Sequence, residues 1–130
     1  MPYHQRYLSA LFGEGHRSMH LCGNVQRHFP TLIRELKINQ FDTGFPLNFK
    51  TLRDEVGEEV EILGGVPVPD LVNRTPEEIT RITRNILESG ITRGGKFVLK
   101  EANDLAPHIP WENLEAMYAA AKRYGVYPDE

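Results

Sequence analysis

Strand-like and helix-like hydrophobic patterns alternate along this chain, and that alternation constrains the fold more than any other feature of the sequence. Four short segments are typical of strands and occupy residues 18–22, 38–41, 60–63 and 97–99. A helix-like repeat of apolar residues follows each segment, and another precedes the first segment. Parallel strands need long crossover connections, which are usually helices. The sequence therefore predicts an α/β fold with one leading helix and four parallel strand–helix units.

The length of the chain limits this fold. At 130 residues the chain suits one domain with one hydrophobic core, which we expect to span residues 1–130. A complete barrel of eight strands and eight helices needs about 200 residues or more. The chain is therefore too short to form such a barrel by itself.

Composition excludes several classes of protein. The chain has one cysteine, Cys22, so it has no intramolecular disulfide, which fits a reducing cytoplasm. Its net charge is −3 and no segment carries a basic stripe, which argues against nucleic-acid binding. No apolar run approaches the roughly 18 residues of a membrane span, and the first residues lack the apolar stretch of a signal peptide. We expect a soluble cytoplasmic protein with no nucleic-acid or membrane partner.

Signals for helix starts are clearest at Thr75. Glu78 follows this threonine by three residues, and the pair predicts a capping box. Asn48 is predicted to cap a shorter helix. Asn24 is predicted to cap another, in which Pro30 should cause a kink or a break.

Four loops that follow the predicted strands are candidates for a functional site, because chemistry in parallel sheets gathers at strand ends. They are residues 20–23, 42–46, 64–69 and 100–108. In the third loop, Gly64 and Gly65 predict a bend. We interpret these glycines as positions where the backbone approaches a ligand or a neighbouring strand.

The first of these loops holds His20 and Cys22, two residues apart at a strand end. Side chains alternate along a strand, so both lie on one face, with Cα atoms roughly 6–7 Å apart. Imidazole and thiolate are both zinc ligands, and a third ligand has to come from another loop. The alternative, which spacing alone favours, is a buried cysteine beside a hydrogen-bonded histidine.

Charged and polar residues in the second and fourth loops are further candidates. The carboxylate of Asp42 is suited to bind a ligand or to orient His20. The alternative is a turn in which Asp42 bonds its own backbone. Glu101 and Asn103 share one face if their strand continues, whereas Lys100 is interpreted as a solvent-exposed loop residue.

Several segments together resemble a known family. In chain order they are His20-Leu21-Cys22-Gly23, Leu63-Gly64-Gly65, Thr75-Pro76-Glu77-Glu78, Gly94-Gly95-Lys96-Phe97-Val98-Leu99, Pro110-Trp111-Glu112-Asn113-Leu114 and Tyr124-Gly125-Val126-Tyr127. Together they resemble the C-terminal half of the uroporphyrinogen decarboxylase superfamily, which includes corrinoid- and zinc-dependent methyltransferases. The family fold is a (β/α)8 barrel, so the resemblance implies a parallel (β/α)4 half of a TIM-type barrel.

The resemblance implies a methyl-transfer site. In the methyltransferases the His-x-Cys pair binds zinc with a distant cysteine, so His20 and Cys22 match two ligands. The distant cysteine would fall near Asn103, and the implied third ligand is Glu101, a water or a group from sequence that this chain lacks. Zinc there activates a thiol as a Lewis acid, and a partner protein carries the corrinoid. Asp42, Glu101 and Asn103 are the implied catalytic or site-shaping residues.

Two other functions stay open. One is uroporphyrinogen decarboxylation in porphyrin biosynthesis, a lyase reaction that needs no metal. The decarboxylase uses arginine and aspartate side chains from its N-terminal half, and it has a histidine at the position of Asn103. The other is a catalytically silent module that acts only by association.

A half-barrel has consequences for assembly. Four strands would leave two open sheet edges and an apolar inner face. Open edges pair with other chains, and monomers rarely expose large apolar patches. We therefore expect a homodimer, or a complex with a chain that supplies the N-terminal half-barrel.

Overall fold

The computed structural model describes residues 1–127. These residues form the four strands β1 (Ser18–Leu21), β2 (Gln40–Thr43), β3 (Glu61–Pro67) and β4 (Phe97–Ala102). They also form the six helices α1 (Pro2–Phe12), α2 (Phe29–Leu36), α3 (Phe49–Val56), α4 (Val68–Asn73), α5 (Pro76–Ile86) and α6 (Trp111–Tyr124). The predicted order of one leading helix and four strand–helix units is confirmed. Within residues 1–127, every helix is too short or too polar to cross a membrane.

The four strands form one parallel sheet in the order β1-β2-β3-β4. Crossovers between parallel strands are right-handed, so strands arranged in sequence order place their connecting helices on one face. This is the arrangement of a (β/α) barrel, whereas the strand order of a doubly wound sheet reverses partway. The chain forms half of a TIM-type barrel.

The helix-covered face of the sheet builds the hydrophobic core. Phe41 of β2 is fully buried and stacks on Phe29 of α2, with ring centroids 4.4 Å apart. Phe97 of β4 meets Phe49 of α3 edge to face, with centroids 6.0 Å apart. Ile62 of β3 is paired with Phe41 on one side and Phe97 on the other, and it is fully buried. Apolar contacts therefore run continuously from β2 to β4.

The opposite face of the sheet is mostly polar. Alternation along the strands places ten side chains there, six of them polar: Ser18, His20, Gln40, Asp42, Glu61, Leu63, Pro67, Val98, Lys100 and Ala102. The expectation of an apolar inner face is therefore wrong. The polar side chains satisfy one another across the strands, since Gln40 donates to Glu61 and Asp42 bonds both His20 and Lys100.

Two predicted helix caps are confirmed. The Thr75 hydroxyl accepts a hydrogen bond from the Glu78 amide at 3.3 Å, and the Glu78 carboxylate accepts one from the Thr75 amide at 3.0 Å. These two bonds form the capping box at the start of α5. Asn48 caps α3 by accepting from the Lys50 amide at 3.1 Å.

The helix after β1 starts later than the sequence predicts. A 3₁₀ turn over Gln26–His28 precedes α2, and Pro30 lies in the first turn of that helix. A proline is tolerated there because the first amides of a helix have no partner within it. His28 occupies the N-cap position, so the predicted cap at Asn24 is wrong.

Three strands run further than the sequence predicts. β2 includes Asp42, which we expected in a loop. β3 continues through Gly64 and Gly65 in place of the expected bend, and α4 follows it directly without a clear signal in the sequence. β4 includes Lys100 and Glu101. In each case, pairing with the neighbouring strand holds residues that locally resemble loop residues.

A buried arginine joins the amino ends of two strands. Arg53 of α3 is 1% exposed and donates hydrogen bonds to four backbone carbonyl oxygens. Its Nη1 bonds Gly57 at 2.8 Å and Val60 at 2.7 Å, its Nε bonds Ile91 at 3.0 Å, and its Nη2 bonds Lys96 at 2.9 Å. Burial lowers the pKa of this guanidinium below its ordinary value. Because Val60 and Lys96 immediately precede β3 and β4, the arginine ties both strands to α3.

Candidate functional site

Three polar side chains meet on the uncovered face of the sheet, toward the carboxyl ends of the strands. His20 and Asp42 are directly paired residues of β1 and β2, and His20 Nδ1 lies 3.0 Å from Asp42 Oδ2. From the other side, Lys100 of β4 donates from Nζ to Asp42 Oδ1, also at 3.0 Å. Asp42 therefore links residues from both edges of the sheet.

Asp42 is ionised in this cluster. Burial by itself raises the pKa of the carboxyl, but hydrogen bonds and charge from Lys100 and His20 outweigh it and hold the pKa below its usual range. Burial lowers the pKa of the Lys100 ammonium, and Asp42 with its acidic neighbours raises it above the ordinary value. An ionised carboxylate only accepts hydrogen bonds. His20 Nδ1 must therefore donate, which leaves Nε2 of the neutral ring as the acceptor.

Two glycines of β3 let the neighbouring strands approach closely. A Cβ atom on Gly65 would lie 2.1 Å from the carbonyl oxygen of Lys100, and one on Gly64 would lie 2.2 Å from Thr43 Oγ1. The interpretation of these glycines as points of close backbone approach is confirmed, and the neighbour is a strand on each side. This close packing lets Lys100 reach Asp42 across β3.

Cys22 follows β1 directly and its side chain is exposed. The alternative of a buried cysteine is therefore wrong, although His20 is hydrogen-bonded as that alternative requires. Gly44 lies against Cys22, because a Cβ atom on this glycine would be 2.3 Å from the cysteine Cβ. The Gly44 amide donates to the Leu21 carbonyl at 2.8 Å, and the Gly23 amide donates to the Phe45 carbonyl at 3.0 Å. These bonds extend the β1–β2 pairing and hold Cys22 beside the end of β2.

Glu101 and Asn103 lie at the end of β4. Glu101 Oε1 is 3.7 Å from Lys100 Nζ, and the Glu101 side chain is largely covered. The strand ends at Ala102, and Asn103 has a φ of 87°, in the left-handed region. The two residues are therefore not neighbours on one continued strand face.

The described residues do not assemble a complete metal site. Within residues 1–127, no three His, Cys, Asp or Glu side chains lie close enough to share a metal ion. His20 and Cys22 belong to the β1 edge of the sheet, whereas Glu101 belongs to the β4 edge. The first two fit zinc as donors, because a carboxylate supports the imidazole and the thiol is exposed. They supply part of the usual four-ligand set.

Sequence reasoning missed the role of Lys100. Its side chain is 25% exposed and bonds Asp42, so its interpretation as a solvent-exposed loop residue is wrong. The two partners are 58 residues apart in the chain, so no local pattern links them. The sequence signal that places Lys100 on the uncovered face of the sheet is its position two residues after Val98 in the same strand.

Comparisons with known proteins agree with this architecture. A profile of the family described as "Uroporphyrinogen decarboxylase (URO-D)" matches residues 1–124. Methylcobamide:CoM methyltransferase MtbA of Methanosarcina acetivorans is 25% identical over 126 residues, which are 95% of this chain and 35% of that protein. The structure of a methyltransferase from Methanosarcina mazei matches with a TM-score of 0.72 and 20% sequence identity, over 96% of this chain and 35% of that one.

These matches cover nearly all of the described residues. The chain spans about a third of the length of both relatives. The structural likeness shows the fold, and the family profile extends from the start of α1 to the end of α6. The resemblance inferred from the sequence motifs is thereby confirmed: the chain belongs to the uroporphyrinogen decarboxylase family.

Proposed function

We propose that this chain forms the C-terminal half of a barrel that transfers methyl groups between a corrinoid and a thiol, with zinc held through His20 and Cys22. The observation that carries the proposal is the hydrogen bond from His20 to Asp42 beside the exposed Cys22 thiol. Metal-binding histidines almost always donate their second ring N–H to a carboxylate or carbonyl. Family membership and the similarity to a methylcobamide:CoM methyltransferase support the same chemistry.

Each residue of the site has a role in this proposal. Bound zinc supplies Lewis acidity that lowers the pKa of a substrate thiol. His20 Nε2 and Cys22 Sγ hold the ion, and Asp42 orients the imidazole. Glu101 and Asn103 shape the substrate side of the site at the end of β4. Because Glu101 lies beside Lys100 at the far edge, a water or a group from another chain is the better third ligand.

The proposal includes partners. β1 and β4 each pair with one strand in the described sheet, so both retain unpaired backbone groups at an edge. A chain carrying the N-terminal half would pair with both edges and enclose the polar face that carries His20, Asp42 and Lys100. A homodimer is the second arrangement that would cover these edges. A separate protein carrying the corrinoid completes the reaction, which we place in the cytoplasm.

Zinc content tests the proposal. The purified chain should hold about one zinc ion, in line with a single pair of donor residues. Cys22→Ala and His20→Ala should lose it, whereas His16→Ala, which removes an exposed histidine just before β1, should keep it. Elemental analysis of the four proteins measures this directly. Equal zinc in the parent chain and in Cys22→Ala would overturn the proposal.

Uroporphyrinogen decarboxylation is the second candidate, favoured by the family match itself. The substrate carries many carboxylates, so its site needs several cationic donors. Lys100 is the ammonium at the described cluster, and it is already bonded to Asp42. We therefore expect no decarboxylation above background by this chain alone. Turnover that survives purification and is lost in Lys100→Met would support the lyase reaction instead.

A further inference from the structure

We propose that Lys100 is a positioning residue for His20, because it holds the Asp42 carboxylate in the orientation that accepts the His20 Nδ1 proton. His20 then presents Nε2 to the open face of the sheet. The inference deepens the proposed function and rests on it for the identity of the bound metal. It concerns a residue outside the metal-binding pair, on the opposite edge of the sheet.

The geometry of Asp42 carries the inference. Lys100 Nζ bonds Oδ1 and His20 Nδ1 bonds Oδ2, each at 3.0 Å, so the two carboxylate oxygens have different partners. Rotation of the carboxylate away from one partner would disturb its bond to the other. Lys100 therefore fixes a torsion that the hydrogen bond to His20 does not fix alone.

The surroundings of Lys100 keep its ammonium in place. The side chain is 25% exposed, and besides the 3.0 Å bond to Asp42 its Nζ lies 3.7 Å from Glu101 Oε1. Gly65, the residue of β3 paired with Lys100, has no side chain to obstruct the path to Asp42. The ammonium thus has two carboxylates within 4 Å.

The tautomer of His20 is the property that Lys100 controls. The hydrogen bond made by one ring nitrogen decides which nitrogen carries the proton. With Asp42 fixed, the proton lies on Nδ1 and the lone pair on Nε2. Without Lys100, Asp42 is free to rotate. The His20 ring then also populates the tautomer with its proton on Nε2, and that tautomer is unable to bind a metal through Nε2.

Nitrogen-15 NMR of the metal-free chain at about pH 8.5, where histidines are ordinarily neutral, reports this tautomer. The parent chain should show His20 protonated on Nδ1. Lys100→Met should lower that fraction at least about twofold, and Lys100→Arg should restore it by keeping a cation. Lys96→Met is the matched control, since it removes an exposed lysine that pairs with Glu59 just before the same strand.

Zinc alone, titrated against a competing chelator, gives the second readout. Affinity should fall about tenfold in Lys100→Met, the lower end of the effect of losing a group behind a metal ligand, and should be unchanged in Lys96→Met. Lys100→Gln repeats the measurement if the methionine variant fails to fold. An unchanged tautomer in folded Lys100→Met or Lys100→Gln, or a parent chain protonated on Nε2, overturns the inference.

The two proposals fail in different ways. A tautomer that responds to Lys100 in a chain without zinc affinity would overturn the proposed function and leave the inference standing. Zinc affinity through His20 and Cys22 with a tautomer indifferent to Lys100 would overturn the inference alone.

Discussion

His20 and Asp42 are directly paired across β1 and β2, and their side chains meet with Nδ1 3.0 Å from Oδ2. The register of two adjacent parallel strands sets the spacing of their Cα atoms, so the backbone itself brings the imidazole to the carboxylate. The contact is therefore a property of the sheet.

Asp42→Asn should weaken zinc binding by about 10–100-fold, because an amide is a poorer acceptor for the His20 Nδ1 proton than a carboxylate. Zinc titration against a chelator measures this. Asp54→Asn is the control, since Asp54 is exposed and pairs with Arg93 away from the cluster. Equal zinc affinity in the two variants would show that the carboxylate does not support the histidine.

The stabilisation supplied by Asp42 should depend on pH. The pKa of its carboxyl is lower in the folded chain than the ordinary value of 3.8, so the folded chain favours the ionised form. That contribution is complete above the ordinary pKa and is lost as the pH falls through the lowered value. Urea unfolding of the parent chain and Asp42→Asn should therefore show a larger difference in free energy at about pH 7 than at about pH 2.5. A difference that grows toward acid pH would contradict this sign.

Arg53→Met should destabilise the fold by about 3–5 kcal/mol, because it leaves buried carbonyl oxygens without donors. Arg53→Lys should also destabilise it, since an ammonium lacks the rigid fork of donors that a guanidinium provides. Arg81→Met, at an exposed position of α5, should change the free energy of unfolding by about 0.5 kcal/mol or less. Urea denaturation compares the three variants. A loss below about 1 kcal/mol for Arg53→Met would mean that water replaces the guanidinium.

The chain should associate at micromolar concentration through the edges of its sheet, and light scattering should give the mass of a dimer. Val98→Lys should weaken association, because Val98 is an exposed apolar residue on the edge strand β4. Val126→Lys is the control, at an exposed valine after α6. A monomer with a cooperative melting transition would show that the edges are stable when unpaired.

The order of the elements was predictable because its signals are local. A capping box at Thr75 and a cap at Asn48 each involve side chains within three residues of a helix start. Strand runs and helix repeats are likewise read within about ten residues. The parallel sheet with helical crossovers follows from their alternation, and the family resemblance carried by the sequence motifs implied the half-barrel.

Features that depend on distant residues were not predictable in this way. The carboxylate of Asp42 stands out at a strand end, but its bond to Lys100 joins residues 58 positions apart. The glycines at 64 and 65 locally resemble a bend, and only their closeness to the adjacent strands explains a straight backbone.

Arg53 shows how a buried charge escapes sequence reasoning. Charged residues are usually exposed, so an arginine in a short amphipathic helix is expected to face solvent. Arg53 instead lies on the buried side of α3 with Leu52 and Val56, and one of its acceptors is 43 residues away. Its place on the apolar stripe is the signal that would have identified it.

The hydrogen bonds of Arg53 make the resistance to local unfolding differ from one part of the sheet to another. Arg53 holds the amino ends of β3 and β4 together. In contrast, β1 is four residues long and has one strand neighbour within the described sheet. Opening is easiest where it breaks the fewest bonds, so β1 belongs to the least protected part of the fold. His20 is on that strand and Cys22 directly follows it. An ion held by this pair would therefore stabilise the segment that opens most readily. Its binding would increase the protection of that segment from hydrogen exchange.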